Sequence, residues 1–468
     1  VSAAVRTKFR FLSALLFFFL LLPASAMGAV LHVTEIGAGV KDGSSWANAF
    51  GEAEFRAALS VSAGTEFWLA AGEYSPGDQE DESFVPAGGV SVYGGFGGDE
   101  TSRDARDPQK NVTILTGRIS GTKNNRTVVW VENDKKLTLD GLTVTGGKGG
   151  EYGGAVMCAD NAELTAINCR FAGNSAKYGG AIYNSAGGIL KVKNCVFDEN
   201  SAVGTGAWGG AVFNKWYCEV EDCSFENNTA SWPGGAIHNG QGGFKLTVRS
   251  SAFYGNSSTS SGGGAIFSYA DLLVLNSTFV ENSAAFYGGG AISCSLDSTS
   301  KIINCTFKDN KTNKGSGEAV RNSKSNGFKA VNSIFWGGGT TEQIATEDPV
   351  TPPEITYCII QGGYDGNDAA NRIIDRDPRL GAFKDNGGPT KTAALLAGSP
   401  AIDAGTSAEA PGTDQRGETR PKGTGYDIGA YEYDGALSGG GGCSAVPVGE
   451  LSSLLLILPL GVLFIRRR

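Results

Sequence analysis

Residues 171–184 read FAGNSAKYGGAIYN, residues 197–214 read FDENSAVGTGAWGGAVFN, and residues 225–239 read FENNTASWPGGAIHN. A Phe, the Asn three places on, and Gly-Gly-Ala-Ile/Val stay constant while the letters between them drift. The Phe-x-x-Asn phrase starts at Phe171, Phe197, Phe225, Phe253, Phe279 and Phe307, in steps of 26, 28, 28, 26 and 28, with a partial copy at Phe335. Gly-Gly-Ala keeps pace at Gly153, Gly179, Gly209, Gly234, Gly263 and Gly289, with a worn GEAV at Gly317. A fixed period of this length marks a stacked-repeat architecture.

The residues before each Phe say what is stacked. LKVKNCVF (190–197), CEVEDCSF (218–225), LTVRSSAF (246–253), LLVLNSTF (272–279) and SKIINCTF (300–307) alternate apolar and polar, which is strand periodicity. Asn194 interrupts the alternation, and Asn tolerates bridge and left-handed backbone angles. Its equivalents are Asn168, Asp222, Ser250, Asn276, Asn304 and Asn332, each a corner between two short strands. One such coil cannot bury its own apolar face. Coils stacked about 4.8 Å apart through parallel strands can. The pattern predicts an all-β, right-handed parallel β-helix, with Phe171, Phe197, Phe225, Phe253, Phe279 and Phe307 as an internal ring column. It predicts Asn ladders at the bends and Gly-Gly where a Cβ would clash. Regular coils run over 137–333, and roughly ten coils make a stack about 50 Å long.

The chain has 468 residues, 70 of them Gly without a Gly-X-Y period, so collagen is excluded. With 41% hydrophobic and 19% charged residues a packed core is expected, and a net charge of −9 argues against a nucleic-acid partner. Residues 1–26 carry a basic start, an apolar run and Ala24-Ser25-Ala26, the pattern of a secretory signal peptide. Residues 30–85, with a helix over 52–62 and the strand phrase EFWLAAG, are expected to cap the N-terminal end. The β-helix proper is assigned to 86–360 and a C-terminal capping segment to 361–434, since an open solenoid exposes two edges. Residues 435–445 form a Gly-rich linker holding Cys443. Residues 446–468 form a hydrophobic tail ending in three arginines, long enough to reach across a bilayer with the arginines cytoplasmic.

The Phe-x-x-Asn and Gly-Gly-Ala-Ile phrases resemble the polymorphic outer membrane protein repeat of chlamydia-type surface adhesins, and the coil as a whole is similar to pectin lyase-like solenoids. GSPAIDAG (398–405), DQRG (414–417) and DIGAYE (427–432) resemble the choice-of-anchor Q domain of secreted bacterial β-helix proteins. The GGGGCSA tail, its apolar run and RRR resemble a Synergist-type C-terminal sorting signal. These resemblances imply an exported protein of the bacterial cell surface or envelope. They also imply processing by a sorting protease and lipid attachment near Cys443, giving contact with the membrane through the tail; an ordinary retained membrane helix is the alternative. No autotransporter barrel follows the repeats, so that mode of display is not implied.

Chemistry is sparse. Cys169, Cys195, Cys223, Cys305 and Cys358 share one inward slot with Ser251, Ser277 and Ser333, so the slot wants a small residue. A Cys169–Cys195 bridge stays open in an oxidising compartment. With no CxxC and only His32 and His238, neither a metal nor a cofactor is expected. Asp198, Glu199, Glu226, Glu281 and Asp309 are scattered acids after the Phe column, without a recurring base beside them. Asp403, Asp414, Arg416, Asp427 and Glu432 in the C-terminal segment could pair with one another or hold a cation. Aromatic residues flank the turns: Tyr152, Tyr178, Trp208, Trp232 and Tyr287 before Gly-Gly, and Tyr183, Phe213, His238 and Phe267 after Ala-Ile/Val, where the alternation points outward. These nine are the candidate ligand contacts, as an exposed stripe suited to sugar rings or a partner protein; the bland alternative is that they merely cover the turn. The reading is a surface-anchored binding or adhesion protein without catalysis. A polysaccharide lyase or glycoside hydrolase on the same scaffold is the alternative, and a structural surface-layer component is the third.

Overall fold

The computed structural model describes residues 28–435 apart from 120–122, 241–244, 296–297, 325, 340–341, 348, 350 and 365–370. The expected leader over 1–26, Cys443 and the tail lie outside the described residues. Within them the protein is a parallel β-solenoid whose regular coils are built from four short strands, with fewer at the two ends. In one coil Glu163–Ile167 is followed by Arg170–Ala172, Ser175–Tyr178 and Ile182–Asn184; the next coil repeats this as Ile189–Lys193, Val196–Asp198, Ser201–Ala202 and Val212–Asn214. Each strand pairs in parallel with its counterparts one coil down and one coil up, so like elements pile into four faces. Among the described residues these faces hold 12, 11, 7 and 9 strands, taken in order around the coil. Register is kept: Leu164 stands opposite Leu190, and Phe171 opposite Phe197.

The constant letters are corners and interior. The corner between the first and second faces is left-handed at Asn168, Asn194, Asp222, Ser250, Asn276, Asn304 and Asn332, with φ between 45° and 54°. A second left-handed bend, after the Phe strand, takes Gly173, Glu199, Asn227, Gly255, Glu281 and Asp309. In the Gly-Gly turn the first glycine is also left-handed, and the second is fixed by the coil above. A Cβ on Gly210 would sit 2.0 Å from the Gly235 carbonyl oxygen, and one on Gly235 2.0 Å from that of Gly264.

Inside, Phe171 to Phe335 form an unbroken stack with ring centroids 4.6–4.9 Å apart, all fully buried. The planes are within 14° of parallel, so at this spacing the rings are offset. Beside them Asn174, Asn200, Asn228, Asn256, Asn282 and Asn310 form a ladder, each Nδ2 donating to the Oδ1 of the next at 2.9–3.1 Å. Every rung thereby satisfies a buried amide that would otherwise be expensive to leave unpaired. A second ladder, Asn184 to Asn214 to Asn239 to Ser268, runs at 2.7–2.9 Å along the fourth face. Its letters close each repeat phrase, but the sequence reading did not single them out.

Helix Glu52–Val61 closes the N-terminal end by burying Phe55 and Leu59. Phe55 meets Phe67, Tyr74 and Phe84 at 5.3, 6.2 and 5.6 Å. At the far end residues 371–374 add a partial coil on Tyr357 to Ile360. The chain then reverses: the antiparallel pair Leu380–Lys384 and Thr392–Leu395 and the irregular residues 396–434 run back along the side of the solenoid. The C-terminal segment therefore covers a flank as well as finishing the stack. Asn276 and Asn332 donate to the carbonyls of Thr413 and Thr406, and Asn304 to that of Asp427. The Thr278 hydroxyl donates to Gln415, Thr390 to the Ser250 carbonyl, and Phe383 stacks on Tyr254 at 5.4 Å.

Candidate functional site

The outward column of the fourth face reads Trp130, Met157, Tyr183, Phe213, His238, Phe267, Ser293 and Arg321. Strand parity thus aims Tyr183, Phe213, His238 and Phe267 away from the core as expected, but they are not exposed. All four are buried. Stacked coils put like residues one rung apart, so the rings spend their faces on each other: Tyr183–Phe213, Phe213–His238 and His238–Phe267 lie 5.3, 4.9 and 5.6 Å apart within 14° of parallel. Their outer edges are covered from the adjoining turns. Tyr178 reaches Phe213 at 5.5 Å, Trp208 reaches His238 at 4.9 Å, and Tyr269 closes on Phe267 at 4.7 Å. The exposed stripe is therefore corrected for these four residues: they form a second, lateral core.

His238 shows the consequence. Burial pushes its pKa down to about 3, with the Pro233 carbonyl a lesser, opposing influence. The imidazole is neutral at ordinary pH and serves as a flat ring between two phenylalanines. What remains open to solvent is a fringe. Tyr152, Trp232 and Tyr287 are 37%, 44% and 66% exposed, beside the turns, and Tyr178 and Trp208 are half-buried between. Trp130 and Phe286 belong to the same fringe, each more than 40% exposed. The sequence reading passed over both, because Trp130 precedes the regular repeats and Phe286 is one place off the turn position.

The scattered acids have structural partners. Asp198 takes Arg170 of the coil below at 2.5 Å, and Glu226 takes Lys391 of the returning C-terminal segment at 3.1 Å. Glu199, Glu281 and Asp309 occupy the left-handed bend that Gly and Asn fill in other coils. In the C-terminal segment Arg420 and Glu432 form a fully buried ion pair at 2.6 Å. Asp414 holds Arg416 at 2.8 Å, and the Arg416 guanidinium lies 3.6 Å over the Tyr431 ring. Asp427 accepts from the N–H groups of Asp403 and Tyr433; burial is the larger influence on it and raises its pKa to about 6. This is an ion-pair network that folds an irregular segment. Among the described residues no three His, Cys, Asp or Glu side chains gather as a metal site, and no helix is long and apolar enough to cross a membrane.

The inward cysteines are free thiols, Cys169, Cys195 and Cys223 lying on successive rungs. Burial lifts Cys305 and Cys358 to about 12, so neither is a nucleophile.

The Chlamydia polymorphic membrane protein (Chlamydia_PMP) repeat matches residues 168–185 and 222–240. Both stretches start at a left-handed corner and run through the column Phe, the buried Asn and the Gly-Gly turn to the second Asn. No curated protein matches by sequence. Among solved structures the chain is similar to pectate lyase Pel9A, at 15% identity and a TM-score of 0.48 over 87% of this chain and 96% of that one. It is similar also to a rhamnogalacturonan lyase, at 13% identity and a TM-score of 0.43 over 80% of this chain and 96% of the other. At these identities the likeness is one of scaffold.

Proposed function

We propose that this chain is a β-solenoid of the bacterial cell envelope that binds a surface glycan or a partner protein and catalyses no reaction. The observation that carries the reading is the fringe of exposed rings beside the Gly-Gly turns: Tyr152, Trp232 and Tyr287, on a rigid scaffold. Large rings with two side-chain torsions offer contact area with little side-chain entropy to lose, and Tyr152 packs on Tyr178 and Tyr183 of the next coil. The polymorphic membrane protein repeat supports a surface setting and an adhesin-like role. The test is binding of the full chain to a glycan array and to envelope proteins, with Trp232→Ala and Tyr287→Ala against a Lys191→Gln control on the first face. Loss of at least about tenfold in the aromatic variants alone is expected. Unchanged binding in both would remove the fringe from the account. Export with a tail trimmed and lipidated at Cys443 completes the proposal, and mass spectrometry of the mature C-terminus tests it: an intact Arg468 rules out processing there.

A further inference from the structure

The flank at the first corner is covered twice and left open once. Near the N-terminal end, residues 97–112 fold over it. Trp46 Nε1 donates to the Glu100 carbonyl, and half-buried Arg106 ties the loop down through the carbonyls of Gly94 and Asp140 and a 2.7 Å pair with the Asp140 carboxylate. Farther along, the returning C-terminal segment covers it from about Glu226 onward. The outward side chains record this cover. Asn276, Thr278, Asn304, Thr306, Asn332 and Ile334 face away from the core yet are buried. Their counterparts Asn168, Arg170, Asn194 and Val196, three to six rungs below, are exposed. Between the two covers lies a saddle of about three rungs, about 14 Å at about 4.8 Å per rung. It opens into a cleft of about 980 Å³ against the 97–112 loop.

The lining is distinctive for a chain of net charge −9. Arg103 and Arg106 stand on the loop side and Arg170 on the floor, with Asp104 the one carboxylate among the lining residues. Arg170 and Arg103 are about half exposed. Asp198 engages one nitrogen of Arg170, and Glu66 lies a loose 3.5 Å from Arg103. A guanidinium carries five donors, so both keep capacity for a further acceptor. Asn168, Asn194 and Gln109 add amides, and Ile114 and Val196 an apolar floor. Every strand here is paired on both sides, Arg170–Ala172 with Thr143–Thr145 and Val196–Asp198. An extended peptide therefore finds no free backbone edge to join. Recognition must come from side chains, and guanidinium forks beside amides suit an acidic group flanked by hydroxyls.

We propose that this saddle binds an anionic saccharide chain, laid along the strands with its acidic groups on Arg103 and Arg170. The site lies at the first corner, away from the turn-side fringe, and stands or falls independently of it. The test is titration calorimetry of the full chain with alginate oligosaccharides, which carry carboxylates, and heparin oligosaccharides, which carry sulfates. Neutral cello-oligosaccharides and a polyglutamate peptide serve as comparisons. At least one anionic saccharide is expected to bind at least about tenfold more tightly than either comparison, and more weakly as salt rises. The double variant Arg103→Gln, Arg170→Gln is expected to lose at least about tenfold in affinity. Val196→Glu, which leaves both arginines in place and puts a carboxylate on the floor, should do the same, and Trp232→Ala should change nothing. Equal binding of the neutral chains, preference for polyglutamate, no anionic binding at all, or full affinity in either folded cleft variant would overturn the proposal.

Discussion

Replacing Asn228 by Leu keeps most of the side-chain volume and deletes one rung of the buried amide ladder. Asn228 Nδ2 donates to the Phe197 carbonyl and to Asn256 Oδ1, both at 2.9 Å, and its Oδ1 accepts the Asn200 N–H at 3.1 Å and Asn200 Nδ2 at 3.0 Å. Asn200 Nδ2 retains the Phe171 carbonyl and Asn256 Oδ1 retains the Asn228 N–H, so those two groups lose one contact each. The Phe197 carbonyl also loses one, and the Asn200 N–H loses its acceptor outright. At about 1 kcal/mol per lost bond and about 1–3 kcal/mol for the stranded amide, the loss is about 4–6 kcal/mol. The neighbouring Asn227→Gly is the contrast. Asn227 is exposed at the left-handed bend where Gly255 stands one coil on, so that change should be close to neutral. Urea unfolding gives the midpoints, and hydrogen exchange gives the local effect, since a solenoid opens rung by rung. Protection should collapse around Asn200 and Asn256 in Asn228→Leu. Equal midpoints for the two variants, or a large loss in Asn227→Gly, would refute the reasoning.

Other outcomes follow from the same geometry. His238→Phe should lengthen the lateral ring stack and remove an acid sensitivity. A folded-state pKa of about 3 against 6.5 unfolded means that stability present above pH 6.5 is lost as pH falls toward 3. At pH 5 that is about 2 kcal/mol, read as the gap between wild type and variant in thermal melts at pH 8 and pH 5. Gly210→Ala, whose Cβ would lie 2.0 Å from the Gly235 carbonyl oxygen, should abolish folding or cut soluble yield sharply, whereas Gly206→Ala, with open space around it, should be soluble and lose only the little its left-handed φ of 67° demands. Gln415→Ala should free the returning segment without melting the coils, because Gln415 bonds Thr278, Thr390 and the Ser251 carbonyl; limited proteolysis should then cut within 396–434 while 137–360 resists.

The interior was readable because a residue in a stacked coil is dictated by its copies above and below. Phe197 must match Phe225, and Asn194 must turn the corner that Asp222 turns. Repetition along the chain is repetition in space. Strand parity also gave the right direction for Tyr183, Phe213, His238 and Phe267. Their exposure was not readable, since it depends on Tyr178, Trp208 and Tyr269 leaning over from neighbouring turns. The returning segment was hidden for a different reason. Asn276 and Asn168 are the same letter at the same corner, and only a contact with Thr413, 137 residues later, buries one and leaves the other in water. The cleft was equally silent, because Arg103, Arg106 and Arg170 repeat nothing.

All of this rests on coils that superimpose in register, and a spin-label ruler along the first face measures that. Thr165, Lys191, Glu219, Thr247, Leu273, Lys301 and Lys329 stand opposite one another on successive coils. Labels at Thr165 and Lys329 are six rungs apart and should give a narrow distance near about 29 Å, with Lys191 and Lys329 about 5 Å shorter. A broad distribution, or distances that do not shrink by one rung for each coil removed, would contradict the stack and everything placed on its faces.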